Sequence, residues 1–329
     1  MVRLVGLCLL LVPVTAIASQ CFAAWMRRAS VGQRIREEGP SLHEKKGGTP
    51  TLGGVIILLL WGICLPILRW FGLLSVDGVF AFVGGLSFGV VGLFDDLLSL
   101  RYRRSLGLSP FQKAILVTAV SVVLFFAFSH IARIPLQVPF ASVTLSLPSI
   151  AFFFLAWAVF MATTNGMNLT DGLDGLATGV SILILCGFLL ITPSREFAGV
   201  ILPLIAILVG FLWVNAYPAR LFLGDVGSFA LGGVVAGLAL VSGTALILPL
   251  LAGVLVLEWG SVILQVSCYR LIGKRIFKIS PLHHHFEHAE GVDYPYFLPV
   301  VEWPEPKITL RLWIVQALFV GLAVLAGRF

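Results

Sequence analysis

The chain has little charge: only 12% of its 329 residues are Asp, Glu, Lys or Arg, roughly half the share in an ordinary soluble domain. Hydrophobic residues make up 59%, and the two figures together exclude a soluble fold. The formal charge of +6 is scattered among apolar runs rather than gathered in a basic block, so nucleic acid is excluded as a partner and the charge is read through loop sidedness. Cysteine is sparse as well. Cys8, Cys21, Cys64, Cys186 and Cys268 stand singly, without a CxxC spacing and odd in number, which predicts free thiols and no cysteine metal site. A GK[ST] ending is missing from the one Gly-rich basic loop, so a Walker A phosphate loop, and with it ATP hydrolysis, is unexpected.

What is present is a series of long apolar runs. A spanning helix needs about 20 apolar residues, and runs near 4–26, 52–71, 78–98, 112–130, 149–165, 173–191, 197–214, 227–242, 246–270 and 308–327 predict an all-α, polytopic integral membrane protein of about ten transmembrane helices. One transmembrane domain, 1–329, is expected. Arg27, Arg28, Arg34, Arg36, Lys45 and Lys46 follow the first run, and Arg101, Arg103, Arg104 and Lys113 follow the third. Arg220 follows the seventh, and Arg270, Lys274, Arg275, Lys278, Lys307 and Arg311 surround the loop after the ninth. The opposite side keeps Arg3, Arg69, Arg133, Arg195 and Arg328. The positive-inside rule then places the basic loops in the cytoplasm and both termini outside. Reading the first run as a cleaved signal ending near Ala16-Ile17-Ala18 would leave the basic 27–46 loop outside, against that rule. Residues 133–148 alternate between prolines and suit a short external hairpin. TLGGV at 51–55 and ALGGV at 230–234 read as small residues for helix packing, not as a repeat.

Carboxylates in or at the ends of such runs are costly, about 2.5–3.5 kcal/mol each at a bilayer centre even on lenient scales. Asp95 and Asp96, Asp171 and Asp174, Asp225, and Glu258 in the ninth run are therefore singled out. A lone Asp at a helix end reads as a cap; five from three segments at one depth read as a cluster. Clustered carboxylates need a cation or a proton between them, and hard oxygen ligands suit Mg²⁺ and, through it, phosphate. Asp95-Asp96 is not the DDxxD of soluble prenyl transferases, because position 99 is Ser. On the same side, Lys45, Lys46 and GGTPTLGG (47–54) offer charge and close backbone approach to a phosphate, against the plainer reading of a loop. PLHHHFE (281–287) cannot turn three successive imidazoles to one metal. They can donate to phosphate or sugar oxygens, or form only a solvated run.

KKGGTPTLGG, GLFDDLL, NGMNLTDGLDGLA, NAYPARLFLGDVGSFALGG, LEWGSVILQV, PLHHHFE and WPEP occur in this order over nearly the whole chain. Together they resemble the phospho-N-acetylmuramoyl-pentapeptide transferase family, within the polyprenyl-phosphate N-acetylhexosamine-1-phosphate transferase superfamily. The resemblance implies ten spans, a cytoplasmic active-site cleft, a bacterial inner membrane, a Mg²⁺ requirement, and transfer from UDP-N-acetylmuramoyl-pentapeptide to undecaprenyl phosphate, giving lipid I and UMP. By motif it implies Asp225 as the magnesium ligand, Asp95 and Asp96 as catalytic acids and Lys113 as the essential lysine. Lys46, Thr51, Asn168, Asp171, Asp174, Asn215 and Phe222 would line the nucleoside pocket, Phe222 stacking on uracil. Gln265, His283, His284 and His285 would face the rest of the donor. Whether the protein acts as a homodimer is left open. The chain departs from the family in extra residues between Glu287 and Trp303 and in an arginine-rich linker, RYRRSLG, before Lys113.

Two alternatives accompany this reading. A sister transferase would use UDP-N-acetylglucosamine. An ion-coupled transporter would place its acids near the midplane and show an inverted repeat, whereas here they are expected at one face.

Overall fold

The structure is a computed structural model that describes residues 2–29, 48–102, 107–288 and 294–327. Helices α1 (Val2–Arg28), α2 (Gly53–Trp70), α3 (Val76–Tyr102) and α4 (Pro110–Ala127) lead to a 3-10 turn (Ser129–Arg133) and a hairpin of β1 (Leu136–Gln137) and β2 (Thr144–Leu145). There follow α5 (Ser149–Thr170), α6 (Leu176–Ile191), α7 (Arg195–Asn215), α8 (Gly224–Val241), the short α9 (Leu248–Leu251), α10 (Gly253–Ile272), the short α11 (Leu282–Phe286) and α12 (Glu305–Ala326). Among the described residues nine helices are long and apolar enough to cross a membrane, so the chain is an all-α multi-pass membrane protein. The tenth expected span, α6, has 16 residues and rises about 24 Å, shorter than a bilayer core. It starts late because residues 171–175 form turns, ending on Gly175 at φ +74°. All five cysteines are free, and the 133–148 segment forms a hairpin with Leu136 opposite Leu145.

One expected run is broken. Instead of a single helix over 246–270, the chain turns at Ala252 between α9 and α10. The buried Gln316 of α12 accounts for the break: its amide donates to Leu251 O (2.7 Å) and accepts from Val254 N (3.1 Å), taking up groups that a continuous ladder would have paired.

Helix α8 is the axis of the bundle, with nearly every side chain buried. Glycines let its neighbours approach at backbone distance. A Cβ on Gly54 of α2 would fall 2.2 Å from Gly227 Cα, and one on Gly92 of α3 would fall 2.1 Å from Asp225 O. The N-terminus, the hairpin and the C-terminus share one end of the bundle: Arg3 lies over Phe71, His130 meets Asp77, and Phe140 N donates to Ala326 O. The other end gathers the close of α3, α5, α7 and α10 and the start of α2, α4 and α8.

Candidate active site

At that second end the polar residues converge. The first turn of α8 carries Asp225, placed by Gly224 at φ +76°. Segment 50–54 pairs with it along the backbone: Phe222 N donates to Pro50 O, Gly53 N to Phe222 O and Gly54 N to Leu223 O, all at 2.8–2.9 Å. The α3–α8 contact at Gly92 then sets Asp95 and Asp96, one turn further on, beside Asp225. Asp96 is buried, and its Oδ2 accepts from Val226 N at 3.0 Å.

Lys113 stands in the first turn of α4, behind a capping box formed by Ser109 and Gln112. Its ammonium donates to Asp225 Oδ2 at 2.7 Å and lies 3.2 Å from Asp95 Oδ2. Asn168, near the end of α5, donates to Asp225 Oδ1 at 2.8 Å and to Ser228 Oγ at 3.1 Å. Leu108 N donates to Asp95 Oδ1 at 2.6 Å, so the residues just before α4 lie against the end of α3. One cation thus bridges two carboxylates, with Asp225 the more exposed of the two at 23% against 8%.

This donor set fits magnesium. Among the described residues no three His, Cys, Asp or Glu side chains form a complete metal cage, but Mg²⁺ is commonly held by one or two carboxylates, with water and substrate phosphate oxygens completing its octahedron. Asp225, the more exposed of the two bridged carboxylates, offers such an oxygen, now bonded to Lys113.

Asp171 caps the end of α5, and its carboxyl accepts from Gly224 N. Burial, and then the carboxylates of Asp225, Asp96 and Asp174, push it well above the usual carboxylate range. Asp174 lies in the α5–α6 turn, where its Oδ2 accepts from Ala219 N at 2.9 Å and its own N–H donates to Glu305 Oε1 at 2.7 Å. It ties the 216–223 loop to α12. Phe222 is half-buried on that loop.

Three further residues expected at the pocket, Asn215, Thr51 and Gln265, are buried. Asn215 is buried, its amide accepting from Thr178 Oγ1 (2.7 Å) and donating to Leu221 O (3.1 Å); it supports the loop from beneath. Thr51 is buried with no hydrogen-bond partner for its hydroxyl, and a Cβ on Gly224 would lie 2.7 Å from that oxygen. Gln265 lines a small cleft with Tyr269, Arg270 and Arg275 beside the end of α10. It holds the turn after α10, accepting from Ile276 N and Phe277 N at 2.9 Å and donating to Phe277 O at 3.0 Å.

The histidine segment also divides. His283 is fully buried, His285 is buried and accepts from Lys278 N at 3.0 Å, and only His284, paired with Glu287, is partly open. Lys46 lies outside the described residues.

Sequence reasoning left Glu258 without a role; it pairs with His283 Nδ1 at 3.1 Å in a fully buried contact. Burial opposes a charge on His283, yet the Glu258 carboxylate overrides it and raises the imidazole above its ordinary value. His283 Nε2 and Glu258 Oε1 have no partner, and His283 abuts Gly172, where a Cβ would come within 2.2 Å of Nε2. The pair therefore supports the Asp171–Asp174 turn from behind. Glu305 was also missed as an anchor of that turn. A buried acid in an apolar run is the one signal sequence offered for Glu258; its partner is 25 residues away.

The profile of Glycosyl transferase family 4 matches residues 79–243. A Clostridium acetobutylicum protein named phospho-N-acetylmuramoyl-pentapeptide-transferase is 39% identical over 315 residues, covering 93% of this chain and 93% of its own. A Frankia casuarinae protein of the same name is 39% identical, covering 92% and 91%, and one from Geobacillus thermodenitrificans is 36% identical, covering 94% of each. Asp95, Lys113, Asn168 and Asp225 all fall inside the matched 79–243 segment.

Proposed function

The chain belongs to the phospho-N-acetylmuramoyl-pentapeptide-transferase family, and from that premise we propose that the Asp225 cluster is where it moves phospho-N-acetylmuramoyl-pentapeptide from a UDP carrier to undecaprenyl phosphate. The observation that carries the assignment is one ammonium, Lys113, bridging Asp225 and Asp95 at 2.7 and 3.2 Å inside the segment shared with the family. The same acids stand at one end of the bundle rather than midway along it, which argues against an ion pathway.

An oxygen of the lipid phosphate attacks the sugar-bearing phosphorus as the bond to the bridging oxygen of UMP breaks, so lipid I forms and UMP leaves. Phosphoryl transfer relies mainly on positioning and charge neutralisation. Magnesium, held by Asp225, would supply Lewis-acid neutralisation of the diphosphate. Lys113 adds a fixed positive charge at the same point, and Asn168 orients the carboxylate it bonds. The second pKa of a phosphate monoester is about 6, so most of the nucleophile is already ionised at neutral pH. Asp95, held by Leu108 N, accepts the remaining proton. Asp171, Asp174 and Phe222 line the approach for the nucleoside, with Phe222 on the uracil; Lys46, Thr51 and His284 serve the donor around them.

The excess of Arg and Lys at the site end supports a cytoplasmic cleft with both termini outside, in the inner membrane of a bacterium. Purified protein given undecaprenyl phosphate and each UDP-sugar in turn tests the reading. UMP release with UDP-N-acetylmuramoyl-pentapeptide, and none with UDP-N-acetylglucosamine, is expected; the reverse would overturn it.

A further inference from the structure

Between the histidine segment and α12, residues 294–301 are built unlike a solvated loop. Phe297 N donates to Arg275 O at 3.1 Å and Leu298 N to Ile276 O at 3.0 Å. Tyr294 Oη donates to Lys278 O at 2.9 Å, and the Arg275 guanidinium lies 3.9 Å from the Tyr294 ring centre. These contacts fasten the segment to the residues directly after α10, where a membrane span ends. Pro295 and Pro299 narrow its unfolded freedom.

What it then presents is apolar. Phe297, Leu298 and Val301 are 55%, 45% and 70% exposed, beside Leu271 and Ile272 at the end of α10, which are 83% and 59% exposed. Large side chains held outward on a fastened loop mark an interaction surface. Two features say what covers it. The patch continues the outward-facing end of a transmembrane helix, and its edge is basic: Lys274 Nζ lies 5.7 Å over the Phe297 ring, with Arg270 one turn back on α10. Glu302, just after the segment, is taken up by Lys278 and His288. Apolar side chains below and basic groups above is the layout of an element lying in the headgroup region.

We propose that residues 294–301 form an interfacial anchor that inserts Phe297, Leu298 and Val301 into the leaflet at the site end of the bundle and draws anionic phospholipid headgroups to Lys274 and Arg270. Through Arg275–Lys278 and the His285 contact with Lys278, the anchor sets the depth of the histidine segment relative to the bilayer.

The test places p-benzoylphenylalanine at position 297, and separately at 301, of the full chain in vesicles of mixed phosphatidylglycerol and phosphatidylcholine. The same probe at the exposed Trp70 is the lipid-contact control. Irradiation should yield phospholipid adducts at both loop positions, with phosphatidylglycerol enriched over its share of the bilayer. Lys274→Gln should lower that enrichment by up to about fivefold, the value of one basic residue at an anionic surface. Adducts to a second protein chain, or none at either loop position while Trp70 gives its own, would overturn the anchor. Adducts in simple proportion to lipid composition would overturn the headgroup assignment.

Discussion

Gly92→Ala adds one methyl group at the α3–α8 crossing, one turn before Asp95. The new Cβ would lie 2.1 Å from Asp225 O, 2.4 Å from Asp225 C and 2.7 Å from Val226 N. These are backbone atoms at the start of the central helix, so no side chain can swing aside. Ordinary contact requires the helices to part by roughly 1 Å, an overpacking cost of about 1–3 kcal/mol. The strain falls where Val226 N bonds Asp96 and where Asp95 and Asp225 share Lys113. A misplacement of that size costs up to about 100-fold in rate when groups must be aligned for reaction. We expect Gly92→Ala to retain its helical content while UMP release, measured with both substrates saturating in nanodiscs, falls by about that factor. Gly84→Ala is the control on the same helix pair: its Cβ would meet Gly233 O at 3.4 Å, and near wild-type turnover is expected. Full turnover in Gly92→Ala would refute the claim that this crossing sets the carboxylate spacing.

Excess chelator should abolish turnover, and restored Mg²⁺ or Mn²⁺ should return it; unaltered rates in chelator would remove the metal from the account. Asp95→Asn should be most impaired at low pH and recover as pH rises through about 7, where the lipid phosphate ionises unaided; a flat, near-zero profile would instead favour a covalent or metal-holding role. His283 has a raised pKa in the fold, so the stability it draws from Glu258 is fully present below its unfolded value of about 6.5 and is lost as pH rises through the higher folded value. The difference in thermal stability between wild type and Glu258→Gln should shrink over that window, and a constant difference would mean the pair is not charged. Cysteines introduced at Ser41 and Ala289 should be shielded from an impermeant thiol reagent in intact cells while one at Ser142 reacts; the opposite pattern would invert the topology.

Apolar runs and turn chemistry made the helices legible, because in a bilayer length and hydropathy alone specify a span. The hairpin at 136–145 was legible for a similar local reason, since alternation between prolines leaves few other conformations. The kink at Ala252 was hidden: the glutamine that stabilises it, Gln316, is 62 residues away from the Val254 amide it accepts. The same distinction holds at the site. Asp95, Asp171 and Asp225 announced themselves through the cost of charge at a helix end, and the fold gathers them at one end of the bundle. Asn215 and Gln265 carry amides that read equally well as ligand contacts or as backbone braces, and only the fold shows Leu221 O and Phe277 O receiving them. Two of the three histidines are turned inward by partners that no spacing rule could pair with them: Glu258 with His283 and the Lys278 amide with His285.

The central claim is that the Asp225–Lys113–Asp95 cluster performs the transfer. The most direct measurement is single-turnover formation of lipid I by purified wild type, Asp225→Asn and Lys113→Gln in nanodiscs with UDP-N-acetylmuramoyl-pentapeptide, with binding of the donor followed in parallel by calorimetry. The account predicts that each variant still folds and that its chemical step slows at least about 100-fold, the loss typical of removing one charge-stabilising group from a preorganised site. Wild-type single-turnover rates in either variant would contradict it.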